Sequence, residues 1–151
     1  MTVRLSSQLR TNLAGALGFA ATFANGIIEI RTGAQPVSAD AAATGTLLGT
    51  ITLNSGAFVA GSPTNGLTFA AAENGAVSKS GVWSFNGIAA GTAGWFRLKG
   101  NALDNDALST TLPRLDGSIA VSGADMNLSN LTISVAAPNT IDSFTWTQPK
   151  S

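Results

Sequence analysis

Beyond residue 27, Asn-Gly recurs at 65–66, 74–75 and 86–87, and Asp116-Gly117 adds a fourth dipeptide of the same kind there. Such pairs tolerate the positive φ that tight turns and hairpins require, so they divide the chain into short segments that reverse direction. The segments between them have the texture of strands. GIIEIR places Ile28 and Ile30 on one face and Glu29 and Arg31 on the other, and TGTLLGTITL over 44–53 is rich in Thr and branched residues. Further strands are expected at Leu67–Ala71, Val82–Phe85, Gly94–Lys99, Gly117–Val121, Leu131–Val135 and Ser143–Thr147. No helical pattern lies between them, which disfavours a parallel α/β sheet. Short strands at this spacing predict a mainly β protein, an antiparallel β-sandwich of jelly-roll-like character. Thr32–Ala43 has little strand pattern and is expected to cross the surface as a loop.

The N-terminal part differs. Leu5, Leu9 and Leu13 recur at helical spacing, Leu17 continues the series, and Phe19 and Phe23 form another such pair. Ser6 or Ser7 can cap the start and Asn25-Gly26 supplies a stop. Gly15 and Gly18 each weaken the middle by about 1 kcal/mol relative to Ala, so a break into two helical pieces is expected. With Arg4 and Arg10 ahead of it, LAGALGFAATFANG also has some features of an export signal. Its apolar block is, however, interrupted by Gly15, Gly18 and Thr22, and the leucine register crosses the supposed boundary between charged and apolar regions. A retained helix over 5–24 is therefore expected, and its apolar run, which begins only at Leu13, is too short for a membrane span of roughly 20 predominantly apolar residues. The predicted organisation is a helical arm over 1–25 followed by one sandwich domain over 26–151.

At 151 residues, 44% of them hydrophobic, the protein is large enough to bury a core without disulfides or metal. It has no Cys and no His, which removes thiolate nucleophiles, the commonest general base and the commonest transition-metal ligand. Eight basic and eight acidic residues give zero net charge, which argues against nucleic-acid binding. So few charges leave a surface mostly of Ser, Thr, Asn, Gly and Ala, suited to packing against other proteins.

Few constellations carry chemistry. GIAAGTAG over 87–94 lacks the Lys-Ser/Thr of a phosphate loop and the spacing of a dinucleotide fingerprint, and is read as a tightly packed hairpin connection. Asp104-Asn105-Asp106 offers clustered oxygens, but without the Gly and distal Glu of a helix–loop–helix calcium site; a polar turn satisfied by its own backbone is the expected role, and a less regular calcium loop of a β-sandwich is the minor alternative. The carboxylates are scattered, and no pair signals glycosidase chemistry. GWFRLKG is more informative. Alternation puts Trp95, Arg97 and Lys99 on one face and Phe96 and Leu98 on the other. The first face either anchors a protein partner, since Trp and Arg are typical hot-spot residues, or packs internally with Arg97 paired to Glu29 or Asp116. Sugar stacking on Trp83, Trp95 or Trp146 is the less favoured alternative.

Several blocks fit together: GIIEIRTGAQPVSADAAATGTLLGTITL, NGLTF, GVWSFNGIAAGTAGWFRL, RLDGSIAVSGADMNLSNLTI and IDSFTWTQP. Over almost the whole sequence they resemble a family of small bacteriophage virion proteins, in which a short helix precedes GxxxIxxGxQPxxAD and a GTAxWFR…RxDG core follows. The resemblance implies a non-enzymatic structural component of the virion. Capsid decoration (cement) on the major capsid protein lattice is the leading role, and tail or head-fibre attachment is the competitor. It also implies a homo-oligomer, with a trimer favoured, assembled in the host cytoplasm. Leu5, Leu9, Leu13, Phe19, Phe23, Trp95, Arg97 and Lys99 are the candidate partner-binding residues. Arg97, Arg114 and Asp116 match the core motif and are expected to form ion pairs across the sheet. No catalytic residue, cofactor or metal is expected.

Overall fold

The computed structural model describes residues 3–149. Its elements are β1 (Arg4–Leu5), α1 (Ser7–Ala14), α2 (Phe19–Phe23), β2 (Ile27–Thr32), β3 (Leu47–Leu53), β4 (Thr68–Phe69), β5 (Ala76–Ser80), β6 (Trp83–Asn86), β7 (Gly91–Lys99), β8 (Arg114–Ala120), β9 (Met126–Asn127), β10 (Thr132–Ile133), β11 (Pro138–Ile141) and β12 (Thr145–Thr147). The protein is mainly β. A large sheet runs β1-β8-β7-β2-β3-β6-β11, with β9 attached to β8 and β10 to β7, and a small sheet runs β12-β5-β4. All pairings of these strands are antiparallel except β8 with β9.

Alternation in the central strands explains the layers. Ile28 lies opposite Ile51 and Leu98, Leu98 opposite Leu115, and Ile30 opposite Phe96, so one face of the sheet is continuously apolar. That face joins the small sheet through aromatic contacts. Phe19 stacks on Trp146 at 4.9 Å, Phe69 meets Trp83 edge-on at 5.3 Å, and Phe144 tilts against Trp83 at 5.3 Å. Such pairs contribute about 0.5–1.5 kcal/mol each beyond the area they bury.

The N-terminal segment breaks between Ala14 and Phe19, around the two expected glycines. Leu5 lies in β1 rather than in a helix, and Leu17 is exposed between the two helices. Ser6 caps α1: its Oγ accepts from the Leu9 N–H at 3.2 Å and the Arg114 N–H at 2.8 Å, and donates to Leu112 O at 3.0 Å. With β1 paired to β8 and Leu9, Phe19 and Phe23 in the core, residues 3–25 are built into the sandwich instead of standing off it as an arm.

Two turn assignments change. Asn65 and Asn74 have positive φ as expected, but Asp116-Gly117 lies inside β8 and Asn86-Gly87 continues from the end of β6. There the glycines serve close approach: a Cβ on Gly117 would stand 2.6 Å from the Phe96 ring, and one on Gly87 would strike the Ser134 carbonyl. Residues 87–94 also do not close a hairpin, because β6 pairs with β3 and β11 while β7 pairs with β2 and β8. Strands β5 and β11 were not expected. Ala76–Ser80 is polar and short, and Pro138 opens an edge strand, where a missing N–H does no harm.

Candidate functional site: a buried charge network under two loops

On its other face the large sheet is polar, and the register organises it. Glu29 on β2 lies opposite Arg97 on β7, Arg97 opposite Asp116 on β8, and Asp116 opposite Arg4 on β1, giving a row of alternating charge across four strands. Lys99 and Arg114 are also cross-strand neighbours, a like-charge pair that needs carboxylates beside it. These come from the loop between β7 and β8. Arg114 donates from Nε and Nη2 to the two oxygens of Asp104 at 2.7 and 2.6 Å. Lys99 Nζ donates to Glu29 at 2.7 Å and to Asp106 at 3.1 Å. Arg31 bridges Glu29 at 2.9 Å and Asp106 at 3.0 Å.

Arg97 and Asp116 form the centre, both fully buried. The guanidinium donates from Nε and Nη2 to the two carboxylate oxygens, each at 2.8 Å, the parallel two-bond geometry that Arg provides and Lys cannot. Its Nη1 faces Asp106 Oδ1 at 3.5 Å, and its central carbon lies 5.4 Å from the centre of the Trp95 ring. Four cations (Arg31, Arg97, Lys99, Arg114) and four anions (Glu29, Asp104, Asp106, Asp116) thus cancel in one network. It takes half of the eight basic and half of the eight acidic residues in the sequence.

Burial and pairing compete at the three aspartates of the network. At Asp104 burial opposes ionisation, but the Arg114 hydrogen bonds, the Asp106 N–H and the charges of Lys99 and Arg114 together outweigh it and hold the carboxyl below the usual range. At Asp106 burial is likewise outweighed, chiefly by the attraction of Lys99. At Asp116, the deepest, burial wins and pushes the carboxyl up against the pull of Arg97. Burial also works against the charge of Arg97, yet Asp116, with smaller contributions from Asp106 and Asp104, more than compensates and the guanidinium is held charged.

Two loops close over the network. Ala41 O, in the loop between β2 and β3, accepts from Arg97 Nη2 at 3.1 Å and Arg114 Nη1 at 3.4 Å. The two loops bond to each other through Ala43 N–H to Asp106 O and Ser109 N–H to Asp40 O, both 2.9 Å. Asp40 then accepts from the Ser7 N–H at 2.8 Å and the Ser7 hydroxyl at 2.5 Å, tying the cover to the start of α1. Arg4 donates to the Pro36 carbonyl.

This arrangement relocates the sequence-derived candidates. Leu9, Phe19, Phe23, Trp95, Arg97 and Lys99 are buried within their own chain, and Leu5 and Leu13 pack partly against the core. Their partners are internal, so they do not form a docking surface. Of the two carboxylates considered for Arg97, Asp116 takes the hydrogen bonds while Glu29 serves Arg31 and Lys99. Trp83 and Trp95 are buried and Trp146 is stacked on Phe19, so none offers an open sugar platform. Asp104-Asn105-Asp106 is a turn in which Asp104 accepts from the Asp106 N–H at 2.9 Å. Among the described residues no group of three acidic side chains is placed to hold a metal ion.

What the sequence did not signal is the outward side of the cover. Val37 is 90% exposed, Leu103 80% and Leu108 74%, on two loops whose acidic side chains, Asp40, Asp104 and Asp106, all turn inward. Elsewhere the pockets are shallow; one is lined by Ile27, Thr50, Thr52, Phe58 and Ile88, with no titratable side chain. No protein-family model matches the sequence, and no curated protein or solved structure shows significant similarity to it.

Proposed function

We propose that the protein is a non-enzymatic structural component of a bacteriophage virion, a decoration or cement protein that binds the assembled major capsid protein lattice. One observation supports this reading beyond the sequence resemblance. The two-loop cover carries the exposed apolar side chains Val37, Leu103 and Leu108, while Asp40, Asp104 and Asp106 of the same loops are engaged in hydrogen bonds and ion pairs within the protein. Exposed apolar surface marks protein interaction sites where it is contiguous, which is what this reading requires of the three side chains. Here Leu103 and Leu108 flank the aspartates that anchor the loop, so the contact side chains sit on a preorganised support and little ordering cost remains at docking. The former candidates in the helices and on β7 act indirectly, by fixing that support.

Cementing works by mass action. A ligand that binds only the assembled shell stabilises it by RT ln(1 + [L]/Kd), about 2.7 kcal/mol per site at 100 Kd. The test uses purified protein added to shells of the host phage that lack it, reading bound copies and rupture temperature. Binding with a raised rupture temperature is expected, and Val37→Asp with Leu108→Asp should abolish both while leaving the fold intact. Binding confined to tails or head fibres would transfer the role to attachment there. Binding to neither particle would overturn the proposal.

A further inference from the structure

The sequence has Asn-Gly at 25–26, 65–66, 74–75 and 86–87, and the structure treats one of them differently. Asn25, Asn65 and Asn74 share nearly the same left-handed φ (59, 54 and 51°), so turn geometry does not distinguish them. Hydrogen bonding does. The Gly26 N–H donates to Phe23 O at 3.0 Å, the Gly66 N–H to Pro63 O at 3.4 Å, and the Gly87 N–H to Ala137 O at 3.0 Å, and all three glycines are buried. Asn65 is further restrained by donating its side-chain amide to Ala57 O at 2.9 Å. At the fourth site Asn74 and Gly75 are both exposed, and among the described residues neither the Gly75 N–H nor the Asn74 side chain makes a hydrogen bond.

We infer that Asn74 is a site of spontaneous, fold-selected conversion to aspartate and isoaspartate. The Gly75 backbone nitrogen loses its proton and attacks Asn74 Cγ. A bond forms between that nitrogen and Cγ, the bond from Cγ to the amide Nδ2 breaks, and ammonia leaves. The resulting five-membered succinimide is opened by water at either carbonyl, giving aspartate or its backbone-extended isomer, with no change of oxidation state. Glycine places no side chain in the way of the attack, and only at Gly75 is the attacking nitrogen not already committed to a carbonyl. At the other three sites a local opening must come first, and its equilibrium constant multiplies into the rate.

The product matters to the small sheet. Glu73 and Ala76 exchange two 2.9 Å hydrogen bonds around this turn, Gly75 O accepts from the Gln148 N–H at 2.8 Å, and Ala76 pairs with Thr147 of β12. Isoaspartate inserts a methylene into that loop of backbone and disturbs all three. Either product also adds a negative charge beside Glu73 to a protein of zero net charge, which isoelectric focusing resolves. None of this rests on the virion assignment.

The test incubates the full-length protein in warm, mildly alkaline buffer, natively and in urea, and follows each Asn by peptide mapping with mass spectrometry and enzymatic isoaspartate labelling. In the native protein Asn74 should convert at least about tenfold faster than Asn25, Asn65 and Asn86, the factor expected when each competitor needs an opening of about 1.4 kcal/mol or more. In urea the four rates should converge. Asn74→Gln should remove the acidic species that forms first. Native conversion of any other Asn-Gly pair at the rate of Asn74, or persistence of the same ranking in urea, would overturn the inference.

Discussion

Replacing Asp116 by Leu should be among the most damaging single substitutions in this protein, while the double change Arg97→Met with Asp116→Leu should be tolerated. Arg97 and Asp116 are both fully buried and joined by two 2.8 Å hydrogen bonds. Removing one partner from such a pair costs about 3–5 kcal/mol, because a charge is left in a low-dielectric interior without its counterion. The nearest remaining anion for Arg97 is Asp106, whose Oδ1 lies 3.5 Å from Nη1 and whose other oxygen is held by Lys99 and Arg31. It does not replace a bidentate partner. With a urea slope of about 2 kcal/mol per molar, the loss moves the unfolding midpoint down by about 1.5–2.5 M.

The double variant removes both charges and fills the space with apolar volume, which is commonly neutral or favourable, so its midpoint should lie within about 0.5 M of the parent. The two single variants should also differ with pH. Arginine cannot shed its proton in a protein, so the cost of Asp116→Leu persists throughout. In Arg97→Met the stranded Asp116 escapes its penalty by protonating, so that variant should recover relative to the parent as the pH falls. Urea titrations by tryptophan fluorescence across pH measure all of this. Two results would refute the reasoning: an Asp116→Leu shift of less than about 0.5 M, the scale of an exposed ion pair, or a double variant that loses as much as the two singles together.

Three further outcomes follow from the same geometry. Asp104 and Asp106 have carboxyls held below their unfolded values, so their contribution is complete above the unfolded pKa of about 3.9 and is lost as the pH falls through the folded values. The raised Asp116 contributes with the opposite sign, so Asp104→Asn should flatten the acid limb of a Tm-against-pH curve while leaving that opposing component in place. Ser6→Ala strands the Leu9 and Arg114 N–H groups together and should cost about 2–3 kcal/mol, measured by chemical denaturation. Deleting residues 1–24 removes Leu9, Phe19 and Phe23 from the core, about 5–9 kcal/mol of burial, comparable with a whole domain's stability. Circular dichroism should then show an unfolded protein rather than a trimmed but intact sandwich.

What could be read in the sequence was local. The alternation of GIIEIR and GWFRLKG put Ile28, Ile30, Phe96 and Leu98 on one face, and they share one apolar layer. The break at the two glycines and the Asn-Gly stop before β2 were likewise set by residues in contact with one another. What escaped was non-local. Alternation says that Trp95, Arg97 and Lys99 share a face, but not whether that face meets solvent, and here two loops cover it. Thr32–Ala43 has no apolar periodicity because its inward contacts are carbonyls such as Ala41 O, which leave no trace in side-chain pattern. The choice of Asp116 over Glu29 for Arg97 depends on register, and the pairing of distant strands is not written in either strand alone.

The charge network also explains why the cover can be both polar in sequence and fixed in place. Loops made largely of Ala, Gly, Ser, Thr, Asn and Asp, with Val37, Leu103 and Leu108 exposed to the outside, have too little inward apolar area to adhere to a sheet by burial alone. Charged side chains rising from β2, β7 and β8 solve this, because Arg97 and Arg114 can each bind a carboxylate and still donate to a loop carbonyl. The same row restrains register: sliding β7 by one residue would turn Phe96 and Leu98 toward the carboxylates and bury Arg97 among Ile30 and Leu115. Buried ion pairs add little net stability against apolar replacements, so their value here lies in selecting one arrangement. The Arg97→Met, Asp116→Leu double variant separates these two contributions. If it keeps its stability but loses the fixed cover, amide exchange at Ala43 and Ser109 should accelerate while the midpoint of unfolding stays in place, and docking through Val37 and Leu108 should weaken in a protein that is still folded.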